Sequence, residues 1–252
     1  MIRFITVLAA TSLLALPAFA QNAVPPLITA QTAPSSPAVK PPPVVLELFT
    51  SQGCAFCPPA DALMGQMIQQ ESVIGLSCHV DYFAVKKNSL GKSFCTKRQG
   101  DYNRLIGTGP RYTPQLIVNG HMDLIGSETG KVSAAIIKAR AEKLGAITLT
   151  PTGGDSYNIA LPQINTGNEP VSLWLAVYDA PHSIAITEGN NFGKKITYFN
   201  VVSRLSELGT WDGNAMARAV TAGFVPGNGG IAVIAQNPHT GRIIAAGSAP
   251  KP

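Results

Sequence analysis

Residues 44–70 read VVLELFTSQGCAFCPPADALMGQMIQQ, and the pattern of this stretch sets the expectation for the fold. Val44 to Phe49 is an apolar run broken only by Glu47, as in a strand buried on both faces of a parallel or mixed sheet. Thr50-Ser51-Gln52-Gly53 follows, then Cys54-Ala55-Phe56-Cys57-Pro58-Pro59. From Ala60 to Gln70, Leu63, Met67 and Ile68 recur at helical spacing with Asp61 in the first turn, which predicts an amphipathic helix. The order is therefore strand, C-x-x-C, helix. Two sulfurs separated by two residues at a helix start can close a small disulfide ring. The free N–H groups and positive dipole end of that helix favour a thiolate on the first sulfur. In such motifs a thiol pKa of about 8.5 falls to about 7 or as low as about 3.5. Cys54 is then the candidate attacking thiolate and Cys57 the resolving thiol. Pro58 disfavours α conformation at Cys57, so a delayed helix start is expected, with the dipole moved away from Cys54.

Other readings of the pair stay open. A zinc knuckle needs a second pair of ligands, and neither Cys78, Cys95 nor the four histidines form a second C-x-x-C or an H-x-x-x-H. Soft thiolates select Cu(I), so a copper carrier using Cys54, Cys57 and His79 is an alternative. A permanent structural bridge is the plainest one. No metal and no cofactor are expected.

Downstream, Val73 to Tyr82 reads as a second buried strand. Within Arg111 to Gly120 a Thr113-Pro114 step feeds a third, and Asn119-Gly120 signals a two-residue hairpin turn into His121 to Ile125. A helix is predicted from Thr129 to Leu144, ending at Gly145. Between these, Ala84 to Gly109 reads as a long polar insert that holds Cys95. A Cys78 to Cys95 disulfide would close a loop of about 17 residues and stabilise by about 3 kcal/mol in the chain-entropy picture. A structural bridge is favoured there over a second redox pair, because neither cysteine shows a helix-terminus setting. All four histidines read by default as surface or capped.

The N-terminal residues carry an address. In residues 1–20, Arg3 precedes an apolar run from Phe4 to Leu16, a Pro17 break and Ala18-Phe19-Ala20, the pattern of a secretory signal. An apolar run of about 13 residues is too short for a membrane span, which needs about 20. Residues 21–43 hold seven prolines and read as a disordered, extended linker. The expected location is periplasmic or secreted, with no membrane span after signal cleavage and with the cysteines in an oxidising compartment. Hydrophobic residues are 45% of the 252 and charged residues 13%, which excludes a disordered polyelectrolyte. The net charge of +5 comes from basic residues spread along the chain with no run, so nucleic acid is not an expected partner.

Beyond Gly145 the pattern becomes short alternating runs between turn clusters. They are Ile147 to Thr150, Tyr157 to Leu161, Val171 to Tyr178, Ser183 to Thr187, Lys195 to Val202, Gly230 to Ala235 and Arg242 to Ala246, which suggests a β-sandwich. One helix, Asn214 to Ala222, is expected among them. Trp174 and Trp211 are as fit for core as for contact roles. This half, 146–252, carries no catalytic motif and reads as a binding or scaffolding module.

Taken together, strand, C-x-x-C, helix, strand, Thr-Pro before a hairpin and a closing helix resemble the thioredoxin superfamily. More narrowly, LELFTSQGCAFCPPADALM, HVDYF, YTPQLIVNG and the later WDG resemble a family of exported bacterial thioredoxin-like proteins of unknown function. The resemblance implies an α/β thioredoxin-like domain over 44–145, followed by a mainly β, sandwich-like domain over 146–252. It implies that Pro114 is cis and lies opposite the dithiol, with Thr113 offering backbone hydrogen bonds to a bound polypeptide. Phe56, between the two cysteines, is a third candidate substrate contact. Glu47 is placed as a buried acid that moves a proton to the resolving thiol. The residues before Cys54 are Gln-Gly rather than an aromatic, which departs from the superfamily. The implied function is thiol–disulfide exchange on cysteines of other exported proteins, with a redox partner protein.

Overall fold

In β1 (Val44–Thr50) every residue is buried, as the apolar run requires. β1 pairs in parallel with β2 (Val73–His79) and antiparallel with β3 (Gln115–Val118), and β3 turns at Asn119-Gly120 into β4 (Met122–Ile125). Both turn residues have positive φ, 48° and 75°, which is what the Asn-Gly pair supplies. The computed structural model describes residues 40–84, 89–167 and 169–252. The segment read as a secretory signal, 1–20, and nearly all of the Pro-rich linker, 21–43, lie outside the described residues.

Three helices flank this four-stranded sheet: α1 (Pro58–Met67), α2 (Ser93–Ile106) and α3 (Thr129–Arg140). Leu46 and Leu48 on one face of β1 pack with Leu63, Met64 and Met67 of α1 and with Val132 and Ile136 of α3. α2 is a helix where a polar insert was expected. Its buried positions Cys95, Arg98, Gln99, Tyr102 and Asn103 have helical spacing but are largely polar, so hydrophobic periodicity does not reveal it.

The remaining strands are β5 (Gly145–Ala146), β6 (Thr148–Gly153), β7 (Ser156–Leu161), β8 (Val171–Asp179), β9 (His182–Ala185), β10 (Lys195–Tyr198), β11 (Val202–Trp211), β12 (Met216–Thr221), β13 (Asn228–Gln236) and β14 (Ile243–Pro250). They form a five-stranded sheet in the order β11-β8-β13-β14-β5, a three-stranded sheet β12-β7-β6 and the pair β10-β9. The expected helix at Asn214 to Ala222 is instead the edge strand β12, paired antiparallel with β7.

The expectation of an α/β thioredoxin-like domain followed by a sandwich-like domain is corrected. The described chain is mostly β, with fourteen strands in four small sheets and only three helices. The physical reason lies in the five-stranded sheet, whose two faces are both buried. Leu173, Leu175, Val177, Ile231 and Val233 pack against Tyr157, Ile159 and Val220 of the three-stranded sheet. On the other face, Ala176, Ala232, Ile234 and Ala246 share one cluster with Val45, Phe49, Leu76 and Ile117. The halves on either side of Gly145 thus share a core, and residues 200–201 extend the first sheet at its β2 edge through Ser77 N–H to the Asn200 carbonyl, 3.0 Å.

Candidate functional site

Cys54 and Cys57 form a disulfide, with Cα atoms 5.4 Å apart. The helix is not delayed by Pro58. Cys57 is its N-cap, with α-region angles of −79° and −35°, and its carbonyl accepts from the N–H groups of Ala60 at 2.9 Å and Asp61 at 3.0 Å. Proline costs nothing at the first helical position, because the N–H it lacks would have no intrahelical partner there. The positive end of α1 therefore stays at the dithiol. Cys57 is fully buried and Cys54 is 5% exposed, so Cys54 is the less enclosed residue of the two. Phe56 between them is 77% exposed.

The loop before Cys54 is held from several sides. Ser51 Oγ donates to the Phe83 carbonyl (2.8 Å), and the Leu90 N–H donates to Gln52 Oε1 (2.8 Å). Asn191, buried in the turn between β9 and β10, donates through Nδ2 to the carbonyls of Gln52 (2.9 Å) and Cys54 (2.8 Å). Asn190 Nδ2 donates to the Gly53 carbonyl (3.2 Å). The second half of the chain thus straps the dithiol loop, a role that its sequence does not announce. Phe192, next in the chain, is largely exposed, and Phe83, whose ring meets that of Tyr82, is half-exposed.

The Thr113–Pro114 peptide is cis, and the Thr113 carbonyl oxygen lies 3.7 Å from Cys54 Sγ. Gln99 on α2 fixes this approach: its Nε2 donates to the Tyr112 carbonyl (2.7 Å) and to Gln115 Oε1 (2.8 Å), while Tyr82 Oη donates to its Oε1 (2.9 Å). Cys54, Cys57, Phe56, Thr113 and Pro114 are therefore brought to one place.

Glu47 is not brought there. Side chains alternate along β1, and Glu47 points with Val45 and Phe49 to the face opposite α1. Its carboxylate accepts from Arg98 Nε (2.5 Å) and Nη2 (3.0 Å) and from the Tyr102 hydroxyl. Burial works against the Arg98 charge, but Glu47 and Tyr102 more than offset it and hold the guanidinium pKa above its ordinary value. Gln236 on β13 donates to Tyr102 Oη (2.9 Å), which ties this buried pair to the five-stranded sheet.

On the α1 side of β1 lies a group of residues that sequence reasoning did not assemble. Thr50 Oγ1 donates to Asp61 Oδ1 (2.8 Å). His79 is the register partner of Thr50, and its ring meets Tyr198 of β10 edge-on, with centroids 4.9 Å apart. Asp61, His79 and Tyr198 are all buried. Among the described residues, Asp61 Oδ2, both ring nitrogens of His79 and Tyr198 Oη have no hydrogen-bond partner. Burial pushes the Asp61 carboxyl up to about 7, against the lowering effect of Thr50, and pushes His79 down to about 3. The expectation that His79 is a surface or capped histidine is thereby overturned: β2 is buried on both faces, so His79 is enclosed together with Ser77 on the face opposite Cys78.

Cys78 and Cys95 form the second disulfide, Cα atoms 5.3 Å apart, with both residues buried in the shared core. Cys95 lies in the first turn of α2, contrary to the sequence expectation, and no free cysteine remains. Two disulfides fit an oxidising compartment. Among the described residues, no helix is long and apolar enough to cross a membrane, and no group of three or more His, Cys, Asp or Glu is placed to hold a metal ion.

No curated protein matches the chain. A crystal structure of a protein from Agrobacterium tumefaciens is similar at a TM-score of 0.71 and 31% sequence identity, over 84% of this chain and 95% of that one. Residues 45–236 match the model of the family described as a protein of unknown function (DUF1223), and the chain belongs to that family.

Proposed function

We propose that the protein is a thiol–disulfide exchange protein of the periplasm or the secreted fraction, acting through Cys54 and Cys57 on cysteines of other exported proteins. The observation that carries this reading is the placement of the Cys54–Cys57 disulfide. It stands at the N-terminal end of α1, with Cys54 outermost and the Thr113 carbonyl beside it. The helix end lowers the energy of a Cys54 thiolate and so makes this sulfur both a good nucleophile near neutral pH and a good leaving group. Thr113, Pro114 and exposed Phe56 supply the contact surface for the partner polypeptide. Cys78–Cys95 lies in the core and serves as a structural tie.

In exchange, a partner thiolate attacks Cys54 Sγ, the Cys54–Cys57 bond breaks and Cys57 takes the electron pair. A second partner thiolate then displaces Cys54, leaving the partner oxidised and the protein reduced by two electrons. The reverse sequence reduces a partner disulfide. Cys54→Ser is expected to bring insulin reduction and disulfide transfer by the purified protein down to the buffer background; full activity of this variant would sink the reading. A reduction potential below about −300 mV would instead mark Cys54–Cys57 as a locked structural bridge in a binding module.

A further inference from the structure

Cys57 is fully enclosed, so when its sulfur gains or loses a proton no solvent is in contact to supply or remove it. Asp61 stands one turn further along α1 with its N–H on the Cys57 carbonyl, and residues four apart on a helix share a face. Its Oδ1 is taken by Thr50, whereas its Oδ2 is buried and unpartnered among the described residues. A buried carboxyl with one open oxygen, on the face of the resolving thiol, suits proton exchange. We propose that Asp61 holds the proton of Cys57 and exchanges it each time the dithiol opens or closes. This rests on the exchange reading given above.

The groups facing Asp61 tune that role. From β1, the Thr50 hydroxyl donates to the carboxylate and favours it. From β2 comes His79, kept neutral by burial and by His182, and from β10 comes Tyr198, whose ionisation is opposed by burial and by Asp61. Glu47 and Arg98 lie across β1 on the other face. With burial dominant, the carboxyl changes state near pH 7. It can then act as acid when Cys57 leaves as a thiolate and as base when Cys57 attacks.

The reduced full-length protein and an aromatic disulfide, 5,5′-dithiobis(2-nitrobenzoate), separate the steps. Cys54 thiolate attacks the reagent and releases the first thionitrobenzoate. Asp61 carboxylate then takes the Cys57 proton, Cys57 attacks Cys54 Sγ, the protein disulfide closes, and the second thionitrobenzoate leaves with the electron pair. In the wild type the second phase is expected to rise through about pH 7, where Asp61 ionises. Asp61→Asn should leave the first phase within about twofold and slow the second by about tenfold or more, with the rise moved to the ionisation of Cys57 itself. Thr50→Val removes a bond to the carboxylate and should move the rise to higher pH while the fold is kept. A second phase in Asp61→Asn equal to wild type in rate and pH profile overturns the assignment of Asp61 and leaves the exchange reading standing. Absence of both phases in reduced wild-type protein overturns the exchange reading itself.

Discussion

At the residue scale, Asp61 and His79 load the stability of the protein in opposite directions. The Asp61 carboxyl rises from 3.8 in the ordinary case to about 7 in the fold through burial, so the folded state keeps a proton that the unfolded chain gives up. Its contribution is complete below the unfolded value and is lost as pH rises through the folded one, a change of about 4 kcal/mol in order of magnitude. His79 falls from 6.5 to about 3, again through burial first and His182 second. Its contribution is present above the unfolded value and is lost as pH falls towards the folded one. Between about pH 4 and about pH 6.5 the two slopes offset. Removing either group should expose the other. Relative to wild type, urea unfolding of Asp61→Asn should show stability tilting upward with pH over that window, and His79→Phe should tilt it downward. Parallel curves for both variants would show that the two groups titrate as they do in an unfolded chain.

At the element scale, α2 is joined to β1 and β13 by a buried polar set, Arg98 with Glu47, Tyr102 and Gln236. Removing one member of such a pair leaves an unpaired buried charge, so Arg98→Met should destabilise by about 3–5 kcal/mol in chemical denaturation. The double variant Glu47→Gln, Arg98→Met should recover most of that loss, and a double variant as unstable as the single would refute the pair as the cause. The same set explains what the sequence hid. Strands β1, β3 and β8 were legible because their apolar runs are continuous or alternate, and the Asn119-Gly120 turn because its chemistry is local. α2 was not, since its buried stripe is made of Arg98, Gln99 and Asn103, which periodicity counts as surface. β12 was misread for the reverse reason: Met216, Ala217 and Ala219 favour helices, and pairing with β7 overrides that preference. At the site, the cysteines, Thr113 and Pro114 could be read from local pattern, whereas Asn191 acts across 137 residues of chain on Cys54 and leaves no local mark.

At the scale of the whole molecule, the five-stranded sheet is a middle layer with a buried face on each side. A fragment ending at Gly145 would lose Ala176, Ala232, Ile234 and Ala246 from the cluster that covers Val45, Phe49 and Leu76. Large apolar surface left in water opposes folding. A chain of residues 40–145 should therefore lack a cooperative thermal transition by circular dichroism, and a sharp transition would show that the first half is independent. Asn191 adds a consequence of another kind. On the loop its Nδ2 donates to main-chain oxygens, those of Gln52 and Cys54, so it fixes the path of the loop and is indifferent to the side chains there. Evolutionary drift is then free to change Gly53 and Ala55 among relatives, while an asparagine in the β9–β10 turn should persist wherever the two cysteines do. Lineages that have given up the dithiol should be the ones that release that asparagine to drift.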